Sequence, residues 1–84
     1  MQKLTLDHLK SLIVNAEYHC FGTMTACVLT LKNGFKVMGE SACINADNFD
    51  EAIGKQLAYD DAVDKIWELE GYLAVQRLYE NSLT

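Results

Sequence analysis

The sequence has no proline, no low-complexity segment and no internal repeat. Nothing in it is typical of a linker, and 84 residues are few for more than one domain. We therefore predict a single domain over residues 1–84. A core of this size is expected to give a stability margin of only about 3–5 kcal/mol unless disulfides, a metal or oligomerisation add to it.

Cysteine is scarce, and its spacing argues against two of those additions. Cys20, Cys27 and Cys43 are odd in number and lie among apolar or small residues, a pattern typical of buried thiols in a reducing compartment. No pair has the C-x-x-C spacing of a zinc site, so we expect neither a metal nor a cofactor. Oligomerisation is the contribution that remains, and we expect a homo-oligomer.

Long apolar runs and basic residues are also lacking. No run approaches the roughly 20 residues of a membrane span, and the N-terminus MQKLTLDHLK is too charged for a signal peptide. We therefore expect a soluble, cytoplasmic protein without a membrane partner. Seven Lys and Arg against twelve Asp and Glu argue against direct nucleic-acid binding through a basic patch. An acidic surface that imitates nucleic-acid phosphates is an alternative.

Periodic patterns predict a helix followed by a β-hairpin. Apolar residues recur at helical spacing after the candidate N-cap Thr5, which predicts a helix over residues 5–18. The strand-forming segment TMTACVLTLKNGFKVMGESACI is centred on Asn33-Gly34, which favours a two-residue type I′ turn. The apolar residues of the predicted helix are Leu6, Leu9, Ile13 and Ala16.

Counting back from that turn pairs Leu29 with Met38 and Cys27 with Glu40. Both faces of the hairpin are largely apolar in this register, whereas a hairpin with one solvated face should alternate. A lone hairpin is also marginal in water. We expect helices to cover one face, and a second subunit to cover the other or to extend the sheet at an edge.

A long helix is predicted at the C-terminus. Asn48 followed by Glu51 fits a helix start, and apolar periodicity continues to about residue 80. Such a helix is roughly 48 Å long, whereas a compact domain of this length has a radius of gyration near 12 Å. It therefore either bends near Gly71 or extends to pack on another subunit. Gly54, Ala58 and Ala62 form a line of small residues that indicates close packing.

The polar residues offer no catalytic set, so we expect no enzyme. Asp60, Asp61 and Asp64 form an acidic patch whose simplest interpretation is a solvated helix face. In the counted register Glu40 faces apolar residues, with Lys36 as its candidate partner. Candidate binding residues are Glu40, Ser41, Tyr59, Asp60, Asp61, Asp64, Trp67 and Tyr72, the aromatic ones as core or interface anchors.

From Asn33 to Leu73 the sequence resembles a family of small bacteriophage proteins named after gene product 49 of coliphage N-four and gene 66 of a Shigella phage. With the upstream strand TMTACVLTL the resemblance covers about residues 10–80. It implies a phage origin and a non-virion accessory role, but no mechanism and no functional residue. The matching features are Asn33-Gly34-Phe35, Gly39-Glu40-Ser41, Asn48-Phe49-Asp50, Gly54, Ala58, Ala62, Ile66-Trp67 and Gly71-Tyr72.

The residues predict an α+β fold: an N-terminal helix, a two-stranded antiparallel hairpin and a long C-terminal helix that is either unbroken or broken, completed by homo-oligomerisation. The predicted function is an accessory protein that binds a host factor in the host bacterial cytoplasm, with counter-defence as one role. Three alternatives stay open: an acidic inhibitor of a nucleic-acid-binding complex such as a CRISPR effector, an oligomer that sequesters a small nucleotide signal, and a small enzyme using Glu40, Ser41 and Tyr59.

Overall fold

A computed structural model describes residues 4–43, residue 47 and residues 50–83. Within these residues the chain forms a three-stranded antiparallel sheet in the order β1-β2-β3, with a short helix before it and a long helix packed on it. The predicted α+β class is confirmed, but the sheet has one strand more than predicted. The elements are α1 Leu6–Ser11, β1 Ile13–Phe21, β2 Met24–Leu31, β3 Lys36–Ala42 and α2 Glu51–Ser82.

The helix predicted over residues 5–18 is wrong beyond Ser11. Its start is as predicted, because the Thr5 side chain accepts a hydrogen bond from the His8 amide at 3.1 Å. The chain then turns and continues as β1, which pairs with β2 along most of its length. The β-branched residues Ile13 and Val14 favour the strand, and pairing with β2 outweighs the helical spacing of the apolar residues.

The connection between β1 and β2 is a two-residue loop that sequence reasoning missed. Gly22 has a φ of +61°, and no residue other than glycine has a positive φ in the part of the chain that the structure describes. A positive φ at the first loop position alone is the requirement of a type II′ turn, which suits the twist of a hairpin. The dipeptide Gly22-Thr23 was the available signal.

The β2–β3 loop has three residues, not the predicted two. The Gly34 amide donates to the Leu31 carbonyl at 2.9 Å, and the Leu31 amide donates to the Phe35 carbonyl at 2.8 Å. Gly34 alone has a positive φ, +89°, so the loop is a type I turn closed by a glycine bulge. The extra residue shifts the register by one, and Leu29 pairs with Val37 rather than with Met38.

This shift moves every β3 side chain to the opposite face from the one predicted. Val37 and Gly39 now lie beside Leu29 and Cys27 under α2, and all four are buried. Met38 and Glu40 lie on the outer face and are exposed. The outer face of the sheet is therefore mixed. β2 places Met24, Ala26 and Val28 there and β3 places Met38, so the expectation of an apolar second face holds in part. It is wrong for the polar side chains that every strand adds to that face: Asn15, Glu17, His19, Thr30, Lys36 and Glu40.

Helix α2 is continuous through Gly71. Its N-cap is Asp50, whose side chain accepts hydrogen bonds from the amides of Ala52 and Ile53 at 2.9 and 3.3 Å. Asn48, the predicted cap, lies outside the described residues. The helix packs on β2 and β3 with its N-terminal half, and the core comprises Leu9, Cys27, Leu29, Leu31, Val37, Ala58, Ala62, Val63 and Ile66.

The C-terminal half of α2 extends beyond the sheet. The last buried residue of the helix is Ile66, and the helix continues for sixteen residues to Ser82. The radius of gyration of 15.8 Å and the longest extent of 59 Å exceed those of a compact chain of this length. Of the two predicted alternatives, a bend or an extension, the structure therefore has the extension.

Candidate functional site

The contact between α2 and β3 depends on a glycine. A side chain added at Gly39 would place its Cβ 2.2 Å from the Ala58 carbonyl oxygen and 2.2 Å from the Ala62 amide nitrogen. Both are backbone atoms, so the helix lies directly on the strand. Ala58 and Ala62 are fully buried there, which confirms that their line on the helix serves close packing. This contact fixes the position of α2 across the sheet.

Two α2 side chains bind the outer edge of β3. The Asp61 carboxylate accepts a hydrogen bond from the Glu40 amide at 2.9 Å, and the Lys65 ammonium donates to the Met38 carbonyl. These backbone groups point away from β2 and would otherwise be open to another strand. The edge of β3 is therefore closed by its own helix.

The predicted acidic patch is thus divided between two environments. Asp61 is half-buried at the β3 edge, whereas Asp60 and Asp64 are exposed on the outside of α2. Asp60 accepts a hydrogen bond from Gln56 at 2.9 Å. Two carboxylates remain available to a partner, and Asp61 has a structural role that sequence reasoning did not predict.

Glu40 and Ser41 do not form a site together. The Glu40 side chain is exposed on the outer face of β3, and Lys36, its predicted partner, donates instead to Thr30 at 2.8 Å. The Ser41 hydroxyl points to the other face and donates to the Gly54 carbonyl at 2.7 Å. That bond ties β3 to the first turns of α2.

A small pocket lies beside that bond. Its volume is about 160 Å³, below the roughly 300–1,000 Å³ of pockets that enclose drug-sized ligands. A nucleotide is therefore too large for this pocket. The residues around it are Thr23, Ser41, Ala42, Cys43, Asp50, Ile53, Gly54 and Leu57.

The three cysteines are thiols with different surroundings. Cys27 is buried, as predicted, and its burial raises the pKa of the thiol, while a hydrogen bond from Tyr18 opposes that rise. Burial chiefly, and the neighbouring Cys27, raise the pKa of the Tyr18 hydroxyl. Cys20, in contrast, is exposed on β1, so the prediction of buried thiols was wrong there. No reactive thiolate is favoured at Cys27, because its neutral form is the stabilised one.

The predicted aromatic residues separate into core and surface. Tyr59 and Trp67 are half-buried and pack against the core. Tyr72 is 71% exposed, in the half of α2 beyond the sheet. Among the described residues no group of three His, Cys, Asp or Glu side chains is placed to hold a metal ion.

Tyr72 belongs to a stripe of exposed apolar and aromatic residues along the extended half of α2. Leu69 and Leu73 lie three and seven residues after Ile66, so the helix face that covers the sheet continues into this stripe. All of its side chains are at least 38% exposed. The sequence showed its periodicity, but only the length of the sheet showed that it has no cover within the described chain. We define the projecting stripe as Leu69, Tyr72, Leu73 and Tyr79.

Comparison with known proteins gives one result. The family model described as "Phage protein (N4 Gp49/phage Sf6 gene 66) family" matches residues 4–78. No curated protein and no solved structure matches the chain. In the described part of the structure, no helix is both long and apolar enough to cross a membrane.

Proposed function

The chain belongs to the phage protein family of N4 Gp49 and phage Sf6 gene 66, and from this premise we propose that it is an accessory protein made in the cytoplasm of the infected cell, where it acts by binding a host protein. The proposed action is recognition rather than catalysis. Interference with a host defence is one role of such a protein.

The projecting stripe carries this proposal. Its four side chains lie on one side of α2, in the half of the helix that extends beyond the sheet. Their exposed fractions are 42% for Leu69, 71% for Tyr72, 38% for Leu73 and 57% for Tyr79. Single exposed apolar residues are ordinary, but four on one side of an extended helix are typical of a binding surface. Gln76 and Glu80, hydrogen-bonded to each other at 3.2 Å, interrupt the stripe between Leu73 and Tyr79. An amphipathic helix is recognised by a partner groove that takes apolar side chains at such spacings.

The charges beside the stripe indicate what the partner groove should contain. Glu68 and Glu80 lie next to the stripe on the exposed helix surface. A host protein with an apolar groove and basic residues at its rim would complement both features. The aromatic residues Tyr72 and Tyr79 are of the type that concentrates binding energy at interfaces.

The test uses the full-length chain with an affinity tag, purified from phage-infected host cells, followed by identification of the proteins that accompany it. Each purified candidate partner is then titrated against wild type, Leu69→Gln and Leu78→Gln. Leu69 is 42% exposed and belongs to the stripe, whereas Leu78 is 50% exposed on the opposite side of the same helix half. We expect Leu69→Gln to weaken binding at least about tenfold, and Leu78→Gln less than about twofold.

Equal effects of the two variants would overturn the stripe as the docking surface.

A second candidate function is inhibition of a nucleic-acid-binding complex through the exposed carboxylates of Asp60 and Asp64. If this second function is correct, the same titrations should show binding lost in the double variant Asp60→Lys/Asp64→Lys and kept in Leu69→Gln.

A further inference from the structure

The two edges of the sheet differ in how they are closed. At β3 the outward backbone groups of Met38 and Glu40 bind α2 side chains. At β1 no described residue plays this part. The strand runs for nine residues, contains no proline or lysine, and is exposed almost throughout. The register with β2 is irregular between Ile13 and Asn15 but regular from Asn15 to Phe21. A regular edge of that length is a template for pairing with another strand.

The hydrogen-bond pattern identifies which groups of β1 point outward. Because Met38 and Glu40 direct their backbone groups away from β2, the alternate residues Val37 and Gly39 bond with their β2 partners Leu29 and Cys27. The intervening β2 residues therefore direct their groups toward β1.

The β1 partners of those β2 residues are Glu17 and His19, opposite Val28 and Ala26. The residues of β1 whose backbone groups point to the open edge are consequently Ala16, Tyr18 and Cys20. In the described chain none of these outward groups has a hydrogen-bond partner.

We propose that a second copy of the chain pairs with this edge, β1 against β1, antiparallel about a two-fold axis at Tyr18. An isologous contact needs a surface that complements itself. In this register Tyr18 faces its own copy and Ala16 faces the second copy's Cys20, so each outward N–H meets an outward C=O. The result is one continuous six-stranded sheet with both α2 helices on the same face.

Charge complementarity selects this register and this partner. Glu17 and His19 lie on the outer face of β1 with side chains 53% and 56% exposed, and the Glu17 Oε2 and His19 Nε2 atoms are 3.8 Å apart. With the axis at Tyr18, each Glu17 lies directly opposite the second copy's His19, in the closer, non-hydrogen-bonded type of pair. An axis at Glu17 instead would place two glutamates opposite each other.

The uncovered face of β1 supports the same arrangement. Helix α2 packs over β2 and β3 and reaches this part of β1 only with two side chains, Lys55 at 5.8 Å from the centre of the Tyr18 ring and Glu51 at 4.0 Å from the Cys20 Sγ. Ala16, Tyr18 and Cys20 therefore remain partly exposed on the helix side of the sheet. Pairing through β1 would bring these exposed residues of two copies together at the centre of the dimer. The projecting stripe of α2 is not used, so the dimer and the host contact proposed above can be tested separately.

Sedimentation equilibrium tests the charge pairing. We expect wild type to sediment at twice the chain mass of 9.4 kDa. Glu17→Lys and His19→Glu should each weaken the dimer at least about tenfold, whereas Glu17→Lys/His19→Glu, which exchanges the charges, should return it to within about threefold of wild type. Glu68→Lys changes net charge as Glu17→Lys does, but on the free half of α2, and should have no effect.

Disulfide trapping tests the register in the same protein. Ala16→Cys places a thiol opposite the second copy's Cys20, at the spacing of a directly facing pair. Oxidation should give a covalent dimer, and peptide mapping should find the bond between position 16 and Cys20. The matched variant Val14→Cys lies two residues out of register and should give little of it.

A wild-type monomer, or failure of the exchanged-charge variant to recover the dimer, would overturn the proposal. So would a dimer that Leu69→Gln dissociates while the β1 variants leave it intact, because that result assigns the second copy to the projecting stripe.

Discussion

Gly39 is the residue at which helix and sheet meet without an intervening side chain. The pair Ala58 and Ala62 on α2 completes a contact between backbones, since an added Cβ would lie within 2.2 Å of each. The need for glycine here is steric, because the surrounding atoms belong to main chain that cannot rotate away. In helix α2, by contrast, a Cβ added at Gly71 would meet no neighbouring atom within 4 Å.

Replacing each glycine by alanine should therefore have opposite effects. Gly39→Ala should lower the free energy of unfolding by about 3 kcal/mol or more, at the upper end of overpacking. Gly71→Ala should raise it by about 0.5–1 kcal/mol, because alanine is the better residue in a helix interior. Urea unfolding followed by circular dichroism measures both. A Gly39→Ala variant as stable as wild type would contradict the close contact.

At the scale of the element, β3 is an edge strand whose edge is closed by a helix that crosses it. Asp61 and Lys65 reach from α2 to the backbone of Glu40 and Met38, so one helix both covers the face of the strand and occupies its open groups. This arrangement needs α2 to lie close to the strand, which the Gly39 contact permits. Asp61 is thus positioned by the packing at Gly39, the residue that precedes its hydrogen-bond donor Glu40.

Replacing the aspartates of α2 should therefore lower the free energy of unfolding by different amounts. Asp61→Ala removes a charged acceptor from the Glu40 amide and should cost about 1 kcal/mol relative to Asp64→Ala, whose side chain is exposed. Both variants gain the same helix propensity, so their difference isolates the hydrogen bond. Thermal unfolding of the two variants under identical conditions gives that difference. Equal melting temperatures would mean that Asp61 contributes no more than a solvated residue.

At the scale of the whole molecule, the sheet and the first half of α2 form a small domain, and the second half of α2 extends from it. The first half of α2 holds the core residues Ala58, Ala62, Val63 and Ile66. The second half has its helical hydrogen bonds but few tertiary contacts, and isolated helices of this length are marginal in water. Stability should therefore fall along α2 from the sheet toward Ser82.

Hydrogen exchange should show this gradient in the isolated protein. Amides near Ala62 should be protected nearly to the level of global unfolding, whereas those near Tyr79 should exchange at least about a hundredfold faster through local opening. Mass spectrometry of peptides from the two halves compares them directly. Uniform protection along α2 in the absence of any partner would contradict the free end, and protection gained on mixing with a host protein would locate its contact.

A structural feature of this protein could be predicted from the sequence when the interaction that determines it joins residues close together in the chain. The Thr5 cap and the close packing of the small residues of α2 follow from neighbours in sequence, and both were predicted. The sequence left open whether α2 continues through Gly71, and the structure shows that it does. The eight candidate binding residues were chosen without knowledge of the sheet register. Alternation along β3 separates Glu40 from Ser41, and the register decides that Ser41 is the one that faces α2. Packing of α2 assigns Asp61 to the edge of β3, and the contacts of Asp61 with Glu40 and of Ser41 with Gly54 join residues more than ten positions apart in the chain.

The sequence by itself determined the α+β class and the hairpin at Asn33-Gly34, because capping, turn chemistry and apolar periodicity act over a few residues. It also determined the family, through the resemblance of its ordered residues to that family. Only the tertiary structure decided that residues 13–21 form a strand, since pairing with β2 outweighs their helical spacing. It also decided the loop length, and with it the face on which each β3 residue lies, because one added residue inverts the alternation of a strand. The projecting stripe likewise exists only in relation to where the sheet ends, a boundary that pairing and packing set.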